Sequence, residues 1–149
     1  MRQREDYLQV LGEIGNIQED TPNLQWSRYH HAVYTGDLIP GCRLCKRRAW
    51  CHIHIGLACN LQCAFCPLEC DRTANPERDA DVRQRDMKAL YAQNAQRPLE
   101  GVSFSGGEPL LYLDQVEEYA TTLLELNPQM YLWLYTNGTL ATRENLERL

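Results

Sequence analysis

The spacing of apolar residues in the C-terminal two-thirds of the chain predicts short strands that alternate with helices. Residues 50–55 alternate apolar and polar side chains, as a half-buried strand does, and Gly56 ends the segment. Residues 99–105 form a second strand, and residues 130–135 a near-continuous apolar third strand, as expected where both faces are covered. This order predicts an α/β fold with parallel strands and right-handed crossovers.

Three helices are predicted between and after these strands. The first spans residues 79–94 and carries its apolar side chains on one side: Met87, Leu90 and Tyr91. Asp114 is expected to cap the second helix, with Glu117 as its capping-box partner. The buried stripe of that second helix consists of Val116, Tyr119, Ala120, Leu123 and Leu124. Thr142 is expected to cap the third helix, which starts close to the end of the sequence.

The N-terminal third has a weaker pattern. Residues 5–17 form a modest helix, residues 20–29 a loop, and the Pro-Gly pair within residues 39–45 a turn. We therefore expect residues 1–49 to form an N-terminal extension with a C-x2-C turn, and residues 50–149 the N-terminal half of a core domain. A sequence that stops two turns into a helix also indicates a longer protein, or a partial gene.

Composition and charge narrow the functional classes. The 149 residues include 15 Lys and Arg against 20 Asp and Glu, a net charge of −5, which does not favour nucleic acid as a partner. The apolar runs are far shorter than the roughly 20 residues of a membrane-spanning helix. The charged first residues are not followed by an apolar secretory segment. A cytoplasmic, reducing location is expected.

Cysteine is unusually abundant, and its spacing is the strongest chemical signal. Six of the seven cysteines fall between positions 42 and 66, a clustering that favours metal or redox chemistry over disulfides in a reducing compartment. Cys59, Cys63 and Cys66 form a C-x3-C-x2-C loop after the first strand. Closed zinc sites and cubane clusters usually take four protein ligands. Three thiolates therefore suggest a cluster with one open iron, with a zinc knuckle or buried thiols as the alternative.

Two further segments follow the second and third strands. Ser105, Gly106, Gly107, Glu108 and Pro109 end the second strand, and the pair of glycines lets the backbone approach a ligand closely. The turn Thr136-Asn137-Gly138 ends the third strand, and there Asn137 either forms the turn alone or faces a pocket. Because ligands gather at the carboxyl ends of parallel strands, we expect the cysteine loop and both segments to face one pocket.

This ordered combination resembles the radical S-adenosylmethionine (SAM) superfamily. The resemblance covers residues 50–149 and implies a partial or full (β/α) barrel. It implies that Cys59, Cys63 and Cys66 hold three irons of a [4Fe–4S] cluster, whose fourth iron is chelated by SAM. It further implies an enzyme that cleaves SAM reductively to a 5′-deoxyadenosyl radical, which takes hydrogen from an unknown substrate.

The resemblance also assigns the other site residues. Phe65 matches the aromatic residue that packs near the adenine. Gly106, Gly107 and Glu108 match the segment that hydrogen-bonds the methionine amino group. Ser105, directly before them, is expected to bind the cofactor as well. The strands that in the family contribute contacts to ribose and adenine are missing after Leu149, and so is the region that specifies the substrate. We therefore expect a protein that binds its cofactors without turning over alone.

The Pro-Gly-Cys-x-x-Cys segment before the first strand resembles a subgroup related to the pyruvate formate-lyase activating enzymes. Cys42 and Cys45, with Cys51 as a third ligand, form a candidate second metal site, and structural thiols are the alternative. No role is evident for Cys70. The resemblance implies an electron donor such as flavodoxin or ferredoxin, and a small-molecule, protein or peptide substrate. A non-catalytic iron–sulfur or zinc-binding electron-transfer module, or an inactive fragment, is the competing hypothesis.

Histidines and a basic run complete the candidates. His52 and His54 lie on one face of the first strand, where packed histidines are favoured over a role in handling protons or substrate. His30 and His31 fall in the predicted loop. The basic run comprises Arg43, Lys46, Arg47 and Arg48. A solvated face explains it better than an acidic partner or a reductase does.

Overall fold

The structure, a computed structural model, describes residues 23–27, 32–68 and 70–149. The chain forms two compact units, Met1–Lys46 and Arg47–Leu149. The predicted helix over residues 5–17 lies outside the described residues, as do His30 and His31. No helix among the described residues is both long and apolar enough to cross a bilayer.

The first unit contains a two-stranded antiparallel sheet. Strand β1 (Leu24–Ser27) pairs with strand β2 (Ala32–Thr35), so that Trp26 lies opposite Val33. The prediction of a loop over residues 20–29 is therefore wrong at its centre. A four-residue strand is stabilised by the strand that it pairs with, and its own pattern is too short to reveal it.

The turn predicted over residues 39–45 is also wrong, because helix α1 (Pro40–Arg47) replaces it. Pro40 is the first helical residue, where the missing N–H is not needed and the fixed φ suits the helix. Cys42 and Cys45 thus stand three residues apart on a helix.

The second unit is a three-stranded parallel sheet with helices between the strands. Its elements are β3 (Trp50–Gly56), α2 (Pro76–Gln96), β4 (Gly101–Gly106), a 3-10 helix (Pro109–Tyr112), α3 (Leu113–Leu126), β5 (Tyr131–Leu134) and α4 (Arg143–Glu147). The strand order is β3-β4-β5, with both pairs parallel. This arrangement confirms the predicted α/β fold.

Helix boundaries follow the capping residues. Helix α2 begins three residues earlier than predicted, because Asn75 caps it by accepting a hydrogen bond from Arg78 N at 3.2 Å, with Pro76 as the first helical residue. Thr142 caps α4, as predicted, by accepting from Asn145 N at 3.2 Å.

The predicted capping box of the second helix is wrong. Helix α3 begins at Leu113, directly after the 3-10 helix, and has no side-chain cap. Asp114 and Glu117 instead both bind the guanidinium of Arg148, at 2.6 and 2.7 Å. A continuous backbone between the two helices leaves no cap position for Asp114.

The core lies between one face of the sheet and helices α2 and α3. Its fully buried members include Ile53, Ile55, Leu90, Leu99, Val102, Val116 and Leu123. Apolar burial of this kind provides most of the stability of such a layer. The prediction that Leu124 belongs to the buried stripe of its helix is wrong, since this side chain is exposed.

The opposite face of the sheet is lined with aromatic and histidine side chains. Trp50 packs tilted against His52 and Trp133, with ring centroids 6.0 and 5.8 Å apart, and Trp133 contacts Tyr131 and Tyr135. Strand β5 is only partly covered, and its first residue is exposed. The expectation that both faces of this strand are covered is therefore wrong for β5 as the structure has it.

Candidate cofactor site at the strand ends

The carboxyl ends of β3 and β4 are joined by backbone hydrogen bonds. Gly107 N donates to Gly56 O at 2.9 Å, and Glu108 N donates to Ala58 O at 2.8 Å. These bonds bring the residue after the Gly-Gly pair against the residue before Cys59. The backbone therefore places the start of the cysteine loop beside the Gly-Gly-Glu segment, and a shared pocket stays a prediction.

The two glycines are required for this close contact. Gly106 has φ +119°, a conformation that L side chains rarely adopt, and a Cβ there would overlap Gly56 O. A Cβ on Gly107 would overlap Ala58 O. The obstacle in both cases is backbone, which cannot swing aside as a flexible side chain does.

Glu108 links the end of β4 to the turn that follows β5. Its side chain is 1% exposed. Oε1 accepts hydrogen bonds from Leu110 N at 3.0 Å and Thr136 Oγ1 at 2.6 Å, and Oε2 accepts from Asn137 N at 2.7 Å. Every contact is with a donor, which suits an ionised carboxylate. Glu108 therefore holds the third segment against the second.

Asn137 extends the link back to the cysteine loop. Its Nδ2 donates to Asn60 Oδ1 at 2.9 Å and lies 3.8 Å from Cys59 Sγ, within reach of a weak N–H···S hydrogen bond. Its Oδ1 accepts from Thr139 N at 2.9 Å. Asn137 is thus more than a turn residue, because its amide nitrogen contacts the first cysteine of the motif.

Two residues that the sequence pattern did not single out hold the backbone in front of Cys59. Asp79, buried at the start of α2, accepts from Leu57 N at 2.8 Å and from Tyr112 Oη at 2.9 Å. Tyr112 Oη in turn accepts from Ala58 N at 3.0 Å. Burial raises the pKa of Tyr112 to about 12, and the Asp79 carboxylate adds to the rise.

The cysteine loop is anchored at its first cysteine and contains a turn of its own. Cys59 N donates to Asp71 O at 2.9 Å, and within the loop Cys66 N donates to Cys63 O at 3.0 Å. Burial first, and the neighbouring Cys66 and Cys59 second, raise the pKa of Cys70 to about 11.

The donor chemistry of this loop fits an iron–sulfur cluster, because soft thiolates are the ligands that such clusters take. The loop thiols are not drawn together in advance. Within the described ranges, no three side chains of His, Cys, Asp or Glu are grouped closely enough to hold a metal ion. Metal sites commonly assemble only when the metal binds, so three cysteines on one short loop are compatible with assembly around a cluster.

The same finding gives no support to a second metal at Cys42 and Cys45. Cys51 is half-buried and packs against the core of the second unit. Burial, followed by the nearby Asp86 charge, raises the pKa of Cys51 to about 11, so this thiol stays protonated near neutral pH. Cys51 is a packed thiol.

The remaining predicted site residues lie around the strand ends. Phe65 sits in the cysteine loop with 88% of its surface exposed. Ser105 is half-buried near the end of β4, opposite His54 in the register.

In the basic run, Arg47 forms an exposed ion pair with Glu100 at 2.7 Å. A groove of about 920 Å³ lies between α2 and α3, away from all of these residues.

His54 is held by a carboxylate from helix α2. Asp86 Oδ2 accepts from His54 N at 3.0 Å and lies 2.7 Å from His54 Nδ1. Burial alone would raise the pKa of Asp86, but the hydrogen bonds from His54 and Arg85 outweigh it and lower the pKa below its usual 3.8. The pKa of His52 is lowered by burial and by the neighbouring His54. His54 is therefore a structural, paired histidine.

Asp86→Asn is expected to lower the free energy of unfolding at pH 7 by about 1–3 kcal/mol, because it weakens a buried, charge-assisted pair. A depressed carboxyl pKa stabilises the fold above the unfolded value, and this stabilisation is lost as the pH falls through the lower folded value. The difference between wild type and variant should therefore shrink below about pH 3.8. Urea unfolding across this range measures it. Asp81→Asn, at an exposed position on the same helix, is the matched control, and equal losses in both variants would contradict the assignment.

Comparison with known proteins identifies the family. The sequence profile described as the Radical SAM superfamily matches residues 53–149. The chain belongs to the radical SAM superfamily. This radical SAM protein is also similar to a protein of Methanocaldococcus jannaschii named "putative glycyl-radical enzyme activating enzyme", with 27% identity over 120 residues. The match covers 76% of this chain and 31% of the relative, so the chain spans about a third of the relative's length. No solved structure matches it.

Membership of the radical SAM superfamily implies two cofactors, a [4Fe–4S] cluster and SAM. It places the three-stranded parallel sheet as part of the family's (β/α) barrel. It also supports radical SAM enzyme chemistry in general terms. In this radical SAM protein the three segments that the sequence singled out are joined by hydrogen bonds at one edge of that sheet.

Proposed function

We propose that Cys59, Cys63 and Cys66 bind a [4Fe–4S] cluster and leave one iron for SAM. The observation that carries the proposal is the hydrogen-bonded junction of the cysteine loop with the Gly-Gly-Glu segment and Asn137. A loop that is hydrogen-bonded to two neighbouring strand ends provides one rigid surface on which a cluster and its ligand can bind side by side.

The free backbone groups at this junction indicate how SAM would be oriented. The N–H groups of Gly107 and Glu108 are engaged by the end of β3, whereas Gly107 O accepts no backbone hydrogen bond among the described residues. A carbonyl oxygen suits the ammonium group of the methionine moiety. We assign Ser105, Gly106, Gly107 and Glu108 to this contact through the backbone, with Asn137 beside it.

Phe65 would supply the adenine contact. An aromatic ring with 88% of its surface exposed has little packing to lose, and gains from stacking against a flat, apolar base. Because Phe65 lies between Cys63 and Cys66, an adenine stacked on it would lie beside the cluster loop.

The chemistry proposed for the site is radical formation on a substrate. A cluster held by Cys59, Cys63 and Cys66 would supply the one-electron reductive cleavage of SAM that such hydrogen abstraction requires. The chain's own groups hold and orient the cofactors. The relative's name favours a protein substrate, a glycyl-radical enzyme. We propose flavodoxin or ferredoxin as the electron donor, because the reaction requires one electron from outside the chain. We propose residues 50–149 as the part of the chain that does this.

Anaerobic reconstitution with iron and sulfide tests the proposal. Wild-type protein is expected to bind about four irons per chain and to show [4Fe–4S] absorption and, once reduced, a paramagnetic signal. The double variant Cys59→Ala/Cys63→Ala should lose most of this iron, because too few loop thiols remain. Dithionite and SAM should then yield 5′-deoxyadenosine from the wild type.

The matched control is Cys42→Ala/Cys45→Ala, which also removes two cysteines but leaves the loop intact. It should retain the wild-type iron content. Colourless protein, or zinc bound in the loop in place of iron, would overturn the proposal. A full cluster without 5′-deoxyadenosine would overturn the enzymatic part and favour an electron-transfer module.

A further inference from the structure

Asp79, at the start of α2, is a buried carboxylate that forms no ion pair within the described residues. It is 1% exposed, and no Lys, Arg or His of residues 23–27, 32–68 and 70–149 lies in salt-bridge contact with it. Arg83, one turn further along the helix, donates to Ile55 O at 2.6 Å instead. A buried charge without a charged partner is costly, and proteins break such rules chiefly at functional sites.

Two neutral donors hold Asp79 against the end of β3. Oδ1 accepts from Leu57 N at 2.8 Å, and Oδ2 accepts from Tyr112 Oη at 2.9 Å. Contact of both oxygens with donors suits the ionised carboxylate. Burial raises the pKa of Tyr112 to about 12, so the hydroxyl keeps the proton that it donates. Because Leu57 is two residues before Cys59, a negative charge is held close to the first cysteine of the motif.

The same contacts engage the two backbone N–H groups that precede the cysteine loop. Leu57 N donates to Asp79, and Ala58 N donates to Tyr112 Oη at 3.0 Å, so neither N–H is available to a sulfur of the loop. The Tyr112 ring lies so close to Gly56 that a Cβ there would overlap it, and packing therefore fixes the hydroxyl. Net charge and hydrogen bonds to the sulfurs both set the reduction potential of an iron–sulfur cluster. A nearby carboxylate and engaged N–H donors both act to lower it.

We infer that Asp79, together with Tyr112, is a positioning residue that lowers the reduction potential of the cluster bound by the C-x3-C-x2-C loop. The inference rests on the proposed function, since it requires that cluster. Reduction takes one electron from the external donor and adds one negative charge beside the loop, which the Asp79 carboxylate disfavours. A low potential suits the proposed chemistry, because a sulfonium accepts an electron only from a strong reductant.

A redox titration of the reconstituted full chain without SAM, followed by the paramagnetic signal of the reduced cluster, tests the inference. Asp79→Asn keeps the size of the side chain and removes its charge. It should raise the potential by at least about 59 mV, a tenfold change in the equilibrium constant for one electron. Tyr112→Phe keeps the ring beside Gly56 and frees Ala58 N, so it should raise the potential by a smaller amount. In cofactor-free Tyr112→Phe, hydrogen exchange at the Ala58 amide should accelerate several-fold.

Asp81→Asn is the matched control, because it removes an equal charge from an exposed position on the same helix. Solvent and salt screen a charge there, so the potential should keep its wild-type value. A merely structural role for Asp79 would lower the urea midpoint of Asp79→Asn and leave the potential unchanged, which would overturn the inference alone.

The second variant decides the outcome if Asp79→Asn fails to hold a cluster. A raised potential in Tyr112→Phe would then support the inference, and a wild-type potential would overturn it. Absence of any cluster from the wild type would overturn the proposed function as well.

Discussion

Gly107→Ala is expected to destabilise the protein by about 3 kcal/mol or more, near the upper end of single-residue effects. The added Cβ would overlap Ala58 O, a backbone atom that is itself held by the hydrogen bond from Glu108 N. Relief requires the ends of β3 and β4 to separate, which breaks that bond and displaces the residue before Cys59. Urea unfolding measures the loss as a lower midpoint with an unchanged slope.

Gly138→Ala is the matched control for this glycine. Gly138 has φ +78°, but a Cβ there meets nothing within 4 Å. The variant should therefore lose only the conformational cost of about 1–2 kcal/mol. If Gly107→Ala were as stable as wild type, the backbone at Ala58 would be free to move, and the junction would not fix the cysteine loop.

The sequence correctly predicts the parallel sheet and the placement of the carboxyl ends of its strands at one edge, for a simple physical reason. Apolar periodicity separates strands from helices, and an alternating order of the two leaves parallel pairing as the compact solution. Once the strands are parallel, their carboxyl ends share one edge. The proximity of the segments that carry Asn60 and Asn137 therefore follows from topology, although the hydrogen bond between their side chains does not.

The parts that could not be predicted depend on contacts between residues distant in the sequence. Asp79 is one of several acids in α2, and nothing in its neighbourhood shows that it alone is buried against Leu57 N and Tyr112 Oη. Short elements behave similarly, since strand β1 exists through its pairing with β2. The burial of Asp79 beside the start of the cysteine loop would have identified it, but burial cannot be read from a sequence.

The capping box at Asp114 failed for a related reason. The motif was correct in spacing, but the residues before it were already helical, so the two acids were free to bind Arg148 instead. Local motifs predict local structure only when the preceding backbone is extended.

Glu108→Ala is expected to cost about 3 kcal/mol or more, because it leaves three donors without their acceptor at a buried position. Leu110 N, Thr136 Oγ1 and Asn137 N all lose their partner. The turn after β5 should then detach from the end of β4, and hydrogen exchange at the Asn137 amide should accelerate markedly. Stability and exchange are both measured on the cofactor-free protein.

This measurement separates two roles for the glutamate. If the Glu108 side chain acted only by binding SAM, as opposed to holding the strand ends together, its removal would leave the cofactor-free protein unchanged. Glu108→Gln keeps one oxygen and should lose less, about 1–2 kcal/mol. Glu118→Ala, at an exposed position on α3, should change stability by no more than about 0.5 kcal/mol. A large loss for Glu108→Ala alone means that the strand ends are already joined before SAM binds. Equal effects of the two alanine variants would show that the strand ends do not depend on this carboxylate.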